Sequence, residues 1–339
     1  MSNKIIQGWK SFFIKAKISV EAREIYLKYI STLLSNKVPI IFDFYHLTLL
    51  LGRNSEYLAS VINSNTSHYR EFQIPKKLGG FRTILAPYPA LMDMQNWIYK
   101  NILNDVKIHP CAQGFTNKKS IVTNAKIHIN QKEFLKIDLE NFFPTITINQ
   151  VINVFKNLGY THKVSFYLAS ICCYNKNLPQ GAPTSPILSN IIALTLDKRL
   201  FALAQKFNLK YTRYADDLAF SGDEINLKHI DYIKNIINEC GFTLNEAKTV
   251  LQKNKNKRIL TGISIAGETV KVPKNYKRKL KQEVHFIRKF GILNYIRRNK
   301  IKNPNYLYSI LGKLNFWLSV EPKNEFAKKA YNDLKQQIQ

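Results

Sequence analysis

The chain has 339 residues, of which 45% are hydrophobic, so it can bury a large core and is expected to form two or three subdomains. It carries 51 Lys and Arg against 23 Asp and Glu, a formal net charge of +28. This excess predicts an acidic partner such as nucleic acid, although a basic surface can also serve solubility or bind anionic lipid. No apolar run reaches the roughly 18 residues of a membrane span and no secretory h-region is present, so we expect a cytoplasmic protein without a membrane partner. The four cysteines lack CxxC spacing, which argues against a disulfide framework or a zinc site.

Hydrophobic periodicity and breaker residues predict a mixture of helices and strands. In chain order, the expected helices are residues 18–34, 45–62, 89–103, 148–158, 163–173, a long helix from the end of the 178–186 loop to about 206, and 230–240. The expected strands are a hairpin at 71–87 turning at Leu78-Gly79-Gly80, a strand at 134–139, a hairpin centred on 214–217 and short strands within 258–272. Helices on one face of a mainly antiparallel sheet give an α+β core.

The tetrad Tyr214-Ala215-Asp216-Asp217 places two adjacent carboxylates at the tip of the later hairpin. The flanking residues 209–213 and 218–221 are rich in strand formers, and turn chemistry follows them. An Asp pair taken alone is usually a solvated turn, because Asp favours turns. The surroundings of this pair favour a metal site instead.

Asp138 ends the apolar strand 134–139, ahead of the breaker Pro144. Because a buried carboxylate is costly unless paired or bound to a metal, Asp138 is either hydrogen-bonded in the core or a third ligand beside Asp216 and Asp217. Three carboxylates suit Mg²⁺, and two such ions can activate an attacking hydroxyl and stabilise the leaving oxygen of a phosphoryl transfer. We therefore predict nucleotidyl transfer at these three residues with two Mg²⁺ ions, and Mn²⁺ as an alternative.

The loop LPQGAPTSP, residues 178–186, is a second specific element. Its small residues let backbone approach a ligand closely, and Gln180 offers both donors and acceptors. The loop therefore predicts a platform for the template base and the nucleotide. The alternative is an ordinary helix start capped by Thr184 or Ser185.

The C-terminal part of the chain is strongly basic, with 17 Lys and Arg but four acidic residues in 271–339. Two apolar stripes at helical spacing run through it, formed by Leu280, Val284 and Ile287 and by Leu307, Ile310, Leu311, Leu314 and Leu318. Lys277, Arg278 and Lys281 occupy other faces. We expect a basic helical module in which these three cations follow an RNA backbone.

These motifs resemble those of reverse transcriptases, in which LKIDLENFFPT (135–145), LPQGAPTSP and YADD occur in this order. Bacterial retron reverse transcriptases are resembled in particular, through IPKKLGGFRTILAP (74–87), QGF (113–115), NAxxH (124–128), ICCY (171–174) and TRYADDLAFSG (212–222). The resemblance implies an α+β, right-hand polymerase that copies RNA into DNA. It implies an N-terminal helical region at 1–60, fingers and palm at 61–265, and an RNA-binding thumb at 266–339.

The resemblance also implies residues around the incoming deoxynucleoside triphosphate. Phe143, five residues after Asp138, would exclude a 2′-hydroxyl, with a core Phe as the alternative. Lys248 in LNEAKT would protonate the departing pyrophosphate, with a surface lysine as the alternative. The triphosphate would be neutralised by three cations of the fingers hairpin, Lys76, Lys77 and Arg82.

Retron enzymes, as the resemblance implies, use a structured non-coding RNA as template and primer. Synthesis starts from a 2′-hydroxyl of an internal guanosine and leaves a branched RNA–DNA, the msDNA; an effector protein and antiphage defence are implied as well. RNA contacts are implied for Asn124 and His128 of NAxxH. They are also implied for Thr261 and Gly262, where the family's VTG motif reads LTG. A core histidine is the alternative for His128.

Two other interpretations stay open at this point. One is a reverse transcriptase of the group II intron or abortive-infection type, although no room for a maturase or endonuclease extension follows the thumb. The other is a non-catalytic RNA-binding scaffold. The intact triad disfavours a scaffold, because three acids held together without metal would repel and raise one another's pKa.

Overall fold

The structure is a computed structural model that describes residues 2–76, 79–253 and 258–336. Its contacts form two compact units. The first unit contains the residues up to Pro110 together with 140–198 and 237–243. The second contains 111–139, 199–236 and the described residues from Leu244 onward. The division into N-terminal region, fingers with palm, and thumb stays a prediction.

The described chain is a mixture of helices and strands, as the periodicity predicts. The helices are α1 (Ser2–Lys15), α2 (Val20–Ser35), α3 (Phe44–Leu51), α4 (Ser55–Asn63), α5 (Pro89–Ile98), α6 (Ile121–Ile127), α7 (Phe142–Thr145), α8 (Ile148–Asn157), α9 (His162–Cys172), α10 (Ser185–Ile192), α11 (Leu194–Lys206), α12 (Leu227–Glu239), α13 (Lys274–Phe290), α14 (Ile292–Arg298), α15 (Tyr306–Val320) and α16 (Glu325–Lys335). The strands are β1 (Tyr69–Pro75), β2 (Phe81–Pro87), β3 (Glu133–Asp138), β4 (Lys210–Tyr214), β5 (Asp217–Gly222), β6 (Val250–Lys253), β7 (Ile259–Leu260) and β8 (Ile263–Ser264). No helix in the described ranges is long and apolar enough to cross a bilayer.

The second unit is built on an antiparallel sheet in the order β4–β5–β3–β6. β3 is the central element: it pairs with β5 along its whole length and with β6 over its first four residues. Its apolar side chains, such as Leu135 and Ile137, are fully buried, as expected for a central strand. β6 was not expected from the sequence, because VLQK is a half-exposed edge strand with weak alternation.

Two of the predicted helices are interrupted. The helix expected at 45–62 is divided into α3 and α4, because Gly52 ends α3 at φ +61 and the Asn54 side chain accepts a hydrogen bond from Tyr57 N at 2.8 Å to begin α4. The long helix expected to reach Lys206 is broken at Ala193 into α10 and α11. The local backbone therefore ends a helix at each break, although the apolar periodicity continues across it.

Helices α13, α15 and α16 pack around a common apolar core in the second unit. The predicted stripes are confirmed: Leu280, Val284 and Ile287 are buried, as are Ile310 and Leu314. Trp317 is 1% exposed and belongs to this cluster. Burying a side chain of this size contributes roughly 2–3 kcal/mol, which makes the packed core and not helix propensity the main source of stability for these helices.

Candidate active site

Three aspartates meet at one end of the sheet. Asp138, the last residue of β3, pairs directly with Asp217, the first residue of β5. β4 and β5 are joined by a two-residue turn of Ala215 and Asp216, in which Ala215 has φ +55. The backbone N–H of Leu139 donates to the carbonyl of Asp216 at 2.9 Å. The pairing of β3 with β5 thus places Asp138 and Leu139 beside Asp217 and Asp216, which come 79 and 77 positions later in the sequence.

Two of these carboxylates are paired with lysines. Lys248 Nζ lies 2.8 Å from Asp138 Oδ1, and Lys136 Nζ lies 2.8 Å from Asp217 Oδ1. Asp138 is buried, so its charge needs such a partner. The hydrogen bond to Asp138 raises the pKa of Lys248, and the charges of the neighbouring aspartates add to this effect. Lys136 was not predicted from the sequence to be part of the site, although its position two residues before Asp138 places both side chains on one face of β3.

The donor set fits a divalent cation by its chemistry. Carboxylate oxygens from two adjacent strand ends are the hard ligands that Mg²⁺ prefers. Over the described ranges, however, no three His, Cys, Asp or Glu side chains are arranged as a group that could hold a metal ion. Two of the three carboxylates instead face the ammonium groups of Lys136 and Lys248, which a bound cation would have to replace as counter-ions.

The QGF segment supports the turn from below. The N–H of Gln113 donates to the carbonyl of Arg213 at 2.7 Å. At Gly114 a β-carbon would lie 2.8 Å from the backbone nitrogen of Ala215, so only glycine fits against the turn. Arg213 itself is fully buried, and its Nη1 donates to the carbonyl of Ala215 at 3.2 Å. These residues were not assigned a function from the sequence.

The NAxxH residues lie in the core beneath the same hairpin. His128 Nε2 lies 2.8 Å from Thr212 Oγ1 on β4, and its Nδ1 lies 2.7 Å from Ser221 Oγ on β5. Thr212 donates its hydroxyl hydrogen to Asn124 Oδ1 at 2.6 Å, so it accepts from His128 Nε2–H and Ser221 donates to Nδ1. Burial lowers the pKa of His128 to about 3, which keeps the ring neutral.

This placement corrects the RNA contacts expected of Asn124 and His128. Both side chains are enclosed, with exposed fractions of 1% and 0%. Neither presents an atom to a ligand, and the core histidine named as the alternative describes what is found. The sequence alone does not distinguish an RNA-contacting His128 from a core histidine, because the two partner hydroxyls lie 84 and 93 residues away from it along the chain.

Thr261 and Gly262 form the two-residue turn between β7 and β8. Thr261 has φ +46, a left-handed conformation that is unusual for a β-branched residue. Its hydroxyl oxygen is buried and has no hydrogen-bond partner among the described residues. Strain and an orphaned polar atom together are features of functional sites, so the RNA contact expected of this turn stays a prediction with structural support.

The three cations assigned to the thumb differ in their surroundings. Arg278 and Lys281 are exposed on α13, and the ammonium of Lys281 lies 5.0 Å from the ring centre of Phe326. Lys277 instead lies 2.6 Å from Glu321 Oε1. Glu321 also accepts a hydrogen bond from the backbone N–H of Val272 at 2.7 Å. Lys277 is therefore engaged in holding the helices together, which was not expected from its basic neighbourhood.

The predicted hairpin of the first unit is confirmed as β1 and β2. The side chains of Lys76 and Arg82 are exposed on it, and Lys77 lies outside the described residues. The LPQGAPTSP loop was predicted to approach a ligand closely, and that contact stays a prediction; in the structure its backbone lies close to β2. Leu85 N donates to the carbonyl of Gln180 at 2.9 Å, and a β-carbon on Gly181 would lie 2.7 Å from the Leu85 carbonyl oxygen. Neither residue named in the helix-cap alternative caps α10: the Thr184 side chain makes no capping hydrogen bond, and Ser185 Oγ has no hydrogen-bond partner among the described residues.

Phe143 lies in the single-turn helix α7, where it is half-buried and packs edge-on against Phe142 at 5.4 Å between ring centres. Phe142 is the buried member of the pair and packs on Phe242 at 5.6 Å. A half-buried ring leaves both the sugar-selecting role and the core role of Phe143 open.

Comparison with known proteins defines the class. The profile of the family "Reverse transcriptase (RNA-dependent DNA polymerase)" matches residues 74–279, more than half of the chain. The protein is accordingly an RNA-directed DNA polymerase, and the predicted α+β, right-hand polymerase fold is confirmed.

The relatives narrow the class further. The chain is 34% identical over 293 residues to the Retron Ec86 reverse transcriptase of Escherichia coli, and the match covers 85% of this chain and 87% of that protein. It is also 34% identical over 218 residues to the Retron Mx65 reverse transcriptase of Myxococcus xanthus, covering 58% of this chain and 51% of that protein. The chain belongs to the retron reverse transcriptases. Among solved structures it is similar to an apo telomerase from Candida tropicalis, at 16% identity and a TM-score of 0.42 over 62% of this chain and 55% of that one.

Proposed function

We propose that this polymerase copies one structured non-coding RNA into single-stranded DNA and starts from a 2′-hydroxyl of that RNA, so that the product is a branched RNA–DNA. The retron relatives support this proposal. The cytoplasm is the proposed site of action, and a role in antiphage defence with an effector protein is the corresponding biological proposal. The proposed subdomains are a helical region at 1–60, fingers and palm at 61–265, and an RNA-binding thumb at 266–339.

The observation that carries the catalytic proposal is the register of Asp138 with Asp217 beside the carbonyl of Asp216. In the proposed reaction the RNA 2′-hydroxyl, and then each 3′-hydroxyl, attacks the α-phosphorus of a deoxynucleoside triphosphate, and pyrophosphate leaves. Divalent ions held by the three carboxylates, Mg²⁺ or Mn²⁺, would favour loss of the hydroxyl proton and stabilise the leaving oxygen.

The chain's own residues would prepare this site. Lys136 and Lys248 neutralise the two carboxylates that they contact, which limits the repulsion between acids held on adjacent strands. Protonation of pyrophosphate by Lys248 stays a prediction. So do neutralisation of the triphosphate by Lys76, Lys77 and Arg82, platform contacts by Gln180, and sugar selection by Phe143.

The catalytic proposal is tested by Asp216→Asn, which removes charge but little volume. We expect the variant to fold and bind RNA while DNA synthesis with Mg²⁺ falls by roughly a thousandfold or more. Asp223→Asn is the matched control, because its side chain is 82% exposed just beyond the same strand and pairs only loosely with Lys132 at 3.3 Å. Near-normal synthesis by Asp216→Asn would refute the assignment of the triad.

The priming proposal is tested on the nucleic acid that copurifies with the protein. Sequencing should find one RNA joined to DNA, and an enzyme that cleaves 2′,5′ linkages should release the two strands. DNA that starts from a 3′-hydroxyl, or a protein with no preferred RNA, would contradict the priming mechanism even if polymerase activity is present.

A further inference from the structure

The second unit contains a cavity of about 700 Å³ between α13 and α14. The two helices meet at Gly291, whose φ of +78 turns the chain sharply after Phe290. The residues of α13 that line the cavity share one face, which is neither the buried stripe of Leu280, Val284 and Ile287 nor the face that carries Arg278 and Lys281. This face borders the cavity, opposite the residues of α14.

The cavity has an aromatic wall. Phe286 and Phe290 lie four residues apart on α13, with ring centres 6.1 Å apart and planes 19° from parallel. Phe290 is 42% exposed. Tyr295 continues the lining from α14 and is itself backed by Tyr306, with ring centres 6.0 Å apart and planes 20° from parallel. The exposed Lys289 lies over the Phe290 ring, with its ammonium 5.3 Å from the ring centre. Partly exposed aromatic rings provide a surface for another planar ring.

The rest of the lining is cationic and rich in amides. Lys279, Arg297 and Arg298 are exposed around the cavity. Glu283 is the one acidic residue of the lining, and it is 7% exposed and neutralised by Lys313 at 2.9 Å. Asn294 donates to the carbonyl of Phe290 at 2.9 Å, which holds its amide group on the helix beside the aromatic wall.

We propose that this cavity binds one unpaired nucleotide of the structured RNA. The base would stack on Phe286 and Phe290, and the arginines would contact its flanking phosphates. An RNA is favoured over a protein partner because cations surround the aromatic wall while the single acid is already paired, and because proteins read single-stranded RNA by stacking unpaired bases on aromatic side chains. The inference rests on the proposed function, since it takes the copied RNA as the ligand.

The test measures binding of the RNA that copurifies with the protein, transcribed in vitro, at several salt concentrations. Phe290→Ala should weaken binding by about 5- to 150-fold and leave the salt dependence unchanged, because stacking carries no charge. Phe290→Tyr should restore most of the affinity. Tyr308→Ala is the matched control, since that aromatic ring is 59% exposed on α15 of the same unit and lies outside the cavity.

A second measurement locates the contact directly. Irradiation of a complex with RNA containing 4-thiouridine should cross-link a nucleotide to a peptide from α13 or α14, and Phe290→Ala should abolish that cross-link. The inference would be overturned if Phe290→Ala bound the RNA with wild-type affinity and the wild-type protein gave no cross-link in these helices. It would also be overturned if Phe290→Ala lost binding to a protein partner while its RNA affinity stayed intact. If the wild-type protein makes no DNA from its copurified RNA, the proposed function fails instead.

Discussion

Gly114 provides the sharpest test of how the carboxylates are positioned. In Gly114→Ala the new β-carbon would lie 2.8 Å from Ala215 N and 3.3 Å from both Cα and the carbonyl carbon of Tyr214. All three atoms are backbone, so no side chain can rotate to relieve the overlap. The segment around Gly114 is restrained in turn by the 2.7 Å hydrogen bond from Gln113 to Arg213. The turn that carries Asp216 must therefore move.

The size of the effect follows from this overlap. Relief requires the segment and the turn to separate by roughly half an ångström, at a cost of about 1–3 kcal/mol in the free energy of unfolding. A misplacement of about 1 Å can reduce the rate of an enzyme by about 100-fold, so we expect kcat for nucleotide addition to fall by about tenfold. RNA affinity should stay unchanged, because the overlap is confined to the support of the turn.

The assay is primer extension with Mg²⁺, in which kcat and KM are separated by varying one deoxynucleotide. Gly267→Ala is the matched control: it lies in the same unit, its β-carbon would meet no atom within 4 Å, and its backbone needs no positive φ. A folded Gly114→Ala variant with wild-type kcat would refute the argument that this close approach positions the catalytic turn.

Four further predictions concern His128, Phe143, the exposed pair Arg278 and Lys281, and Lys277. His128→Ala should lower the free energy of unfolding by about 2–4 kcal/mol in urea denaturation, since two buried hydroxyls lose their partner. The pKa of His128 is about 3 in the folded state and about 6.5 in the unfolded state, so its contribution to the free energy of unfolding is complete above pH 6.5 and is lost as the pH falls towards 3. Between these pH values the variant should therefore lose stability less steeply than the wild type. Parallel plots of the free energy of unfolding against pH would contradict this. Phe143→Ala should reduce the preference for deoxynucleotides over ribonucleotides at least about tenfold in single-nucleotide incorporation. An active variant with an unchanged preference would show that Phe143 is a core residue and not a sugar-selecting one. Neutralising Arg278 and Lys281 together should weaken binding to all RNAs and reduce the slope of log affinity against log salt by up to about two units. Discrimination between cognate and scrambled RNA should stay intact. Lys277→Gln should instead lower the free energy of unfolding, because it leaves Glu321 without its cation.

The amino-acid sequence determined the chemistry and the local elements of this protein. An apolar strand that ends in Asp138, a two-residue turn between β4 and β5, and the apolar stripes of α13 and α15 are short-range patterns, so they were predictable without knowledge of the fold. Motif order was sufficient for the family. The helix breaks at Gly52 and Ala193 were missed, because apolar periodicity continues across them while local backbone conformation ends the helix.

Only the tertiary structure decided which long-range neighbour each polar group meets. His128 became a core residue because Thr212 and Ser221 converge on its ring from two strands, and Lys277 became a structural cation because Glu321 comes within 2.6 Å of it. The need for glycine at position 114 likewise depends on a turn about a hundred residues further along the chain. Such partners are chosen by packing in three dimensions, and periodicity along the chain carries no information about them.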